Sequence, residues 1–238
     1  SESSGTTNAL YGISYGGGKF VTVGLNGTIL TSRDGTTWSM ASSGITNQLN
    51  GISYGGGKFA AVGANGRILT SSDGTSWNSE SSGTTNALYG ISYGGDKFVA
   101  VGSGGAILTS SDGISWSAAS SGTISDLYAI SYGGGKFVAV GDGGMILSSN
   151  DGISWNSANS GTTEMLLGVG YGGGKFVVVG TGGAVLTSSD GTSSWSAASS
   201  GSTDGLRSIA YGGGVFVIVG EGGAILTSSD GSSWSTSS

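Results

Sequence analysis

The chain has 238 residues, 51 of them glycine, and contains no proline, cysteine or histidine. These absences exclude disulfides, thiolate chemistry, histidine-based triads, histidine metal ligands and a near-neutral imidazole switch. With 8 basic and 14 acidic residues the formal net charge is −6, which argues against a nucleic-acid surface, and no apolar run approaches the roughly 20 residues of a membrane span.

The opening Ser1-Glu2-Ser3-Ser4 has no signal-peptide character. A targeting segment is therefore expected to have been removed or never included. From Ser3 the chain enters a repeat that comes round six times, in units 3–41, 42–80, 81–119, 120–158, 159–198 and 199–238. Every tryptophan and every phenylalanine belongs to the pattern. The glycine excess, which by composition alone suggests a low-complexity disordered chain, is thus periodic and marks turns.

Within the first unit four strands are predicted in order: Ala9 to Tyr15, Lys19 to Gly24, Thr28 to Ser32 and Thr36 to Ala41. Valine, isoleucine, threonine and aromatic residues dominate them, as strands prefer. Gly16-Gly17-Gly18 supplies positive φ for the first turn, Asn26-Gly27 suits a tight second hairpin, and Asp34-Gly35 turns the third strand into the fourth. The second strand is apolar on both faces through Phe20, Val21 and Val23. It is therefore expected to be covered on both sides.

Six four-stranded meanders of this length predict an all-β fold, a six-bladed β-propeller occupying residues 1–238 as one domain, with four antiparallel strands per blade. Two β-trefoils, each of three four-stranded units, are the alternative. Ser1-Glu2-Ser3 aligns with Ser79-Glu80-Ser81, the tail of a fourth strand, and the C-terminus runs to the same place. The two ends duplicate rather than complement each other, so no strand exchange between the termini is expected.

The turn Ser32-Arg33-Asp34-Gly35-Thr36-Thr37-Trp38 recurs in every unit. It resembles the Asp box, or bacterial neuraminidase repeat, whose pattern is S-x-D-x-G-x-x-W. Most copies here lack the residue between Asp and Gly, and the fifth has one extra residue before Trp195, so a wider turn is expected there. The longer run G-K-F-V-A-V-G…I-L-T-S-x-D-G-x-x-W resembles the Asp-box propeller repeats of bacterial exported proteins and, more distantly, photosystem II assembly-factor propellers. The resemblance implies a propeller and an extracellular or cell-surface location. It is weak for function, because such folds host many.

Physically the box is a structural device. Asp34, Asp73, Asp112, Asp151, Asp190 and Asp230 can accept hydrogen bonds from their own turns, while Trp38, Trp77, Trp116, Trp155, Trp195 and Trp234 anchor those turns in the blade. The functional alternative is calcium binding or catalysis by these aspartates. Each box has a single carboxylate, whereas calcium takes several oxygen ligands. No metal and no cofactor are therefore expected. A sialidase-like site would need converging arginines, yet Arg33, Arg67 and Arg207 occupy three different repeat positions, and no carboxylate pair stands out for glycoside cleavage. No catalytic residue is assigned, and the chain is not expected to be an enzyme.

The units differ mostly on one face. In a propeller, the turns after strands one and three share one face and those after strands two and four share the other. The first face is nearly uniform. On the second, an unvarying leucine (Leu10, Leu49, Leu88, Leu127, Leu166, Leu206) precedes a varied position: Tyr11, Asn50, Tyr89, Tyr128, Leu167 and Arg207. Of these, Tyr11, Asn50, Tyr89, Tyr128 and Arg207 are the candidate ligand-binding residues, because varied polar and aromatic side chains on a rigid scaffold suit recognition, and tyrosine and asparagine suit sugars. Relaxed constraint on loops is the competing account. Lys19, Lys58, Lys97, Lys136 and Lys175 follow the glycine turns on the opposite face and are read as a solvated rim rather than an anion-binding ring, broken by Val215 in the sixth unit.

The function expected is a noncatalytic binding or scaffold module of a secreted or cell-surface protein, with a carbohydrate or a surface protein as partner. The alternatives are a structural or adhesive unit of a larger array or filament, and an engineered or amplified propeller without a ligand.

Overall fold

A computed structural model describes residues 3–236. It contains six four-stranded antiparallel sheets, each built from one contiguous repeat. The first holds β1 (Leu10–Gly16), β2 (Lys19–Gly24), β3 (Ile29–Ser32) and β4 (Ser39–Ala41), paired in that order. The same plan recurs to the last sheet: β21 (Leu206–Gly212), β22 (Val215–Gly220), β23 (Ile225–Ser228) and β24 (Ser235–Thr236). The last sheet completes itself with its own β24, so no strand is exchanged between the termini among the described residues. Ser1 and Glu2, read above as the tail of a fourth strand, lie outside those residues, as do the last two serines. The chain divides into two compact units, Ser1–Ala119 and Ser120–Ser238, with three sheets each.

Two predicted boundaries shift for physical reasons. The fourth strand begins at Ser39, not Thr36. The Asp34 carboxylate accepts the main-chain N–H groups of Thr36 (2.8 Å) and Thr37 (2.7 Å), which removes both donors from the ladder. The second hairpin is wider than a two-residue turn. Leu25–Gly27 form a single 3₁₀ turn, closed by Thr28 N donating to Leu25 O (3.0 Å), with Asn26 in the left-handed region at φ 55. Asparagine tolerates that conformation better than most residues.

Packing follows the alternation. In the second sheet Phe59, Ala60, Ala61 and Val62 are all buried, so this strand is covered on both faces as expected. One face of each such strand joins the core shared with the preceding sheet: Val21, Val23 and Ile29 pack with Leu49, Ile52, Phe59, Ala61 and Leu69. The same arrangement in the second unit joins Val177, Val179 and Val185 to Leu206, Phe216, Ile218 and Leu226. Burying each of these larger side chains contributes about 1.5–3 kcal/mol. Within a sheet, a tyrosine at the end of the first strand leans on the phenylalanine of the second, as in Tyr54–Phe59 with ring centroids 4.7 Å apart. The unvarying leucines of the sequence are core residues, fully buried in every sheet but the first, where Leu10 is exposed.

Candidate binding face

The varied position is a β-bulge. In the first sheet Leu10 pairs with Gly24 and Gly12 with Val23, which leaves Tyr11 without a partner across the ladder. The register shifts at the same place in the other five, skipping Asn50, Tyr89, Tyr128, Leu167 and Arg207. A bulged residue is freed from the pairing that fixes its neighbours, and its side chain is re-aimed. That accounts for variation here beside an invariant leucine. A bulge leaves no mark in the repeat pattern, so sequence reasoning found the position without its geometry.

The candidates differ in what they touch. Tyr11 is 50% exposed. Asn50 is half-buried; its Nδ2 donates to Leu88 O of the next sheet (2.8 Å), and its Oδ1 accepts from Gln48 Nε2 (2.6 Å). Tyr128 donates its hydroxyl proton to Asp142 Oδ1 at 2.8 Å. Arg207 forms an ion pair with Glu221. Tyr89 is half-buried. Asp142 and Glu221 open the second hairpin, at a position that reads Leu25, Ala64, Ser103, Asp142, Thr181 and Glu221 across the repeats, so in two sheets the varied bulge and the varied hairpin residue satisfy each other.

The connections fall on two faces as expected. The second hairpin and the loop leading to the next sheet line common troughs. One, of about 600 Å³, is bounded by Asn8, Asn26, Thr28, Met40, Ser43, Thr46, Asn47 and Arg67, among others. Its counterpart one repeat on, about 570 Å³, is bounded by Asn65, Arg67, Glu80, Ser82, Thr84 and Thr85, with intervening main chain. In the first trough Asn8 Nδ2 donates to Thr28 Oγ1 (2.7 Å), and Asn26 Nδ2 approaches Asn8 Oδ1 (3.4 Å).

The opposite face carries the Asp boxes. In each, one aspartate oxygen accepts main-chain N–H groups from the turn and the hydroxyl of the serine two residues before, as Ser71 does for Asp73 (3.0 Å). These bonds hold the carboxyls well below the ordinary carboxylate range, Asp230 at about 2. The main-chain N–H groups are the largest cause: Thr37 first for Asp34, Thr192 for Asp190 and Ser233 for Asp230. The ring N–H of Trp77 closes its box on Gly74 O (3.2 Å), and Trp38, Trp116 and Trp155 do likewise. The ring N–H of Trp195, behind the extra serine, is buried without an acceptor, and so is that of Trp234. Among the described residues no three His, Cys, Asp or Glu side chains gather closely enough to hold a metal ion.

Two lysines depart from the expected solvated rim. Lys58 Nζ donates to Asp112 O (2.7 Å), the main chain of the next repeat's box, and Lys19 makes the same bond to Asp73 O. The rim reading is corrected at these positions. The lysine stem crosses the seam between sheets and its ammonium finds a fixed carbonyl there, which open water does not offer. The arginines do not share a site within the first unit: Arg33 lines the box side with Lys19, and Arg67 lines the hairpin troughs.

No family model matches the chain, and no curated protein matches it. Solved structures do. YCF48 bound to D1 peptide is 24% identical with a TM-score of 0.76, covering 97% of this chain and 81% of that one. YCF48 from Cyanidioschyzon merolae is 19% identical with a TM-score of 0.76, covering 98% and 86%. The computationally designed Ika8 protein is 10% identical with a TM-score of 0.73, covering 93% and 71%. YCF48 is a photosystem II assembly factor, so the distant likeness to assembly-factor propellers holds at the level of architecture. The six repeats of this chain are the six blades of an all-β propeller, four antiparallel strands to a blade.

Proposed function

We propose that the chain is a noncatalytic binding module that holds an extended protein segment against the face made by the second hairpins and the loops between sheets. The observation that carries this reading is the concentration of variation on that face: the bulged residues, the second hairpins and the open troughs lie there, over a largely copied scaffold. A similar propeller, YCF48, has been solved bound to a D1 peptide, which supports a peptide as occupant. Carbohydrate is the second reading. It is favoured by the half-exposed ring of Tyr11, which offers a stacking surface, and by the asparagine amides of Asn8 and Asn26 in the same repeat. An extracellular or cell-surface location belongs to the same proposal.

A peptide array and a glycan array probed with the purified chain test the reading. Peptide binding that is weakened several-fold by Tyr11→Ala or Asn47→Ala, and left intact by Thr36→Ala on the box face, is the expected result. Glycan binding with the same mutational pattern selects the second reading. Binding that responds only to the box-face variant overturns both.

A further inference from the structure

Resting on that binding reading, we propose that Arg67 is an anchor for a carboxylate, supplied by an aspartate or glutamate side chain of the bound segment. Arg67 directly follows the 3₁₀ turn Ala64–Gly66, and its main chain is held at both ends: its N–H donates to Ala64 O (3.2 Å) and its carbonyl accepts from Gly63 N (2.9 Å). Buried Ile68 follows it. The backbone is thus fixed while the side chain is exposed.

Arg67 stands where the two troughs meet and lines both. Arg207, at a different repeat position, spends its charge on Glu221; Arg67 has no ion pair among the described residues. The five other repeats place Thr28, Ala106, Met145, Ala184 and Ala224 at the position of Arg67, so this guanidinium is a singular feature of the second repeat.

The surroundings set the sign and direction of the ligand. No acidic residue bounds the first trough, where Asn26, Asn47 and Thr46 offer neutral donors beside Arg67. The second trough contains Glu80, whose Oε1 accepts from Thr70 Oγ1 at 2.7 Å and is thereby held on its own sheet. A carboxylate is therefore accepted on the Asn26–Asn47 side and repelled on the Glu80 side. The planar fork of arginine matches a carboxylate with two parallel hydrogen bonds, which a lysine would not.

The test is an NMR titration of the full chain with two ten-residue glycine–serine peptides, identical except for a central aspartate or asparagine. The expected result is a saturable shift of the Arg67 Nε–H signal and of the Asn26 and Asn47 amides by the aspartate peptide. Arg67→Gln should weaken that peptide at least five-fold and leave the asparagine peptide unchanged, with Arg67→Lys in between. Equal affinity of wild type for both peptides, with shifts on the same face, overturns the carboxylate anchor and leaves the binding face standing. Absence of binding by either peptide overturns both. An unchanged unfolding midpoint in Arg67→Gln ties any loss to recognition.

Discussion

Gly16 and the ring of Tyr54 compete for one volume: a Cβ on Gly16 would lie 2.0 Å from Tyr54 Cγ. The seam repeats at Gly55 with Tyr93 (1.9 Å) and at Gly133 with Tyr171 (2.0 Å). Each tyrosine also leans on the phenylalanine of its own sheet, so it has little room to retreat. Gly55→Ala is expected to destabilise the protein by about 2–3 kcal/mol in urea unfolding, as overpacking does. Combined with Tyr93→Ala, the two changes should cost clearly less than their sum, because the second removes the object of the clash.

Acid should loosen the boxes. A carboxyl whose folded pKa is depressed stabilises the fold above its unfolded value, here the ordinary 3.8, and that contribution disappears as pH falls towards the folded value. The urea midpoint is expected to stay level from about pH 7 to 5 and to fall progressively below about pH 4. Asp73→Asn should reduce this slope, since an amide oxygen still accepts the turn's N–H groups and has no proton to gain in this range.

The fifth box allows a repair. Trp195 Nε1 is buried without an acceptor, while the first four boxes direct the indole to the glycine carbonyl, at 3.0 Å in Trp116, and the regularly spaced sixth, at Trp234, does not. Deleting Ser194 restores the regular spacing. A gain of about 1–2 kcal/mol is expected in urea unfolding, the cost of an unsatisfied buried donor. No change, with Trp195 fluorescence unaltered, would show that the wider turn serves the indole equally well.

Lys58→Met keeps the stem and removes the ammonium bonded to Asp112 O. A loss of about 1 kcal/mol is expected, the net worth of one such hydrogen bond. Lys58→Ala should cost more, because Lys58 Cδ also lies beside Gly113, 3.1 Å from where its Cβ would stand.

The architecture was legible because one unit's patterning is printed six times: the doubly apolar Phe59–Val62 run, the glycine turns and the box each predict a local structure, and repetition removes the ambiguity of any single copy. What escaped the sequence lies across seams or out of register. Nothing in Tyr11 or Asn50 announces a bulge, since an unpaired residue keeps the same spacing as a paired one. Lys58 gives no sign of reaching a carbonyl 54 residues on. Arg67 was visible as an odd residue, but its place between two troughs depends on a neighbouring loop that the linear chain does not adjoin.

The lysine that crosses the seam has an evolutionary corollary. Its acceptor is a main-chain carbonyl, which every amino acid carries alike. The side chain that follows the aspartate–glycine pair can therefore drift, as Thr75 has become Ile114 and Ile153, without touching the bond. Two adjoining copies stay joined by a contact that reads position instead of identity. A string of duplicated segments held this way can diverge residue by residue while its joints remain intact.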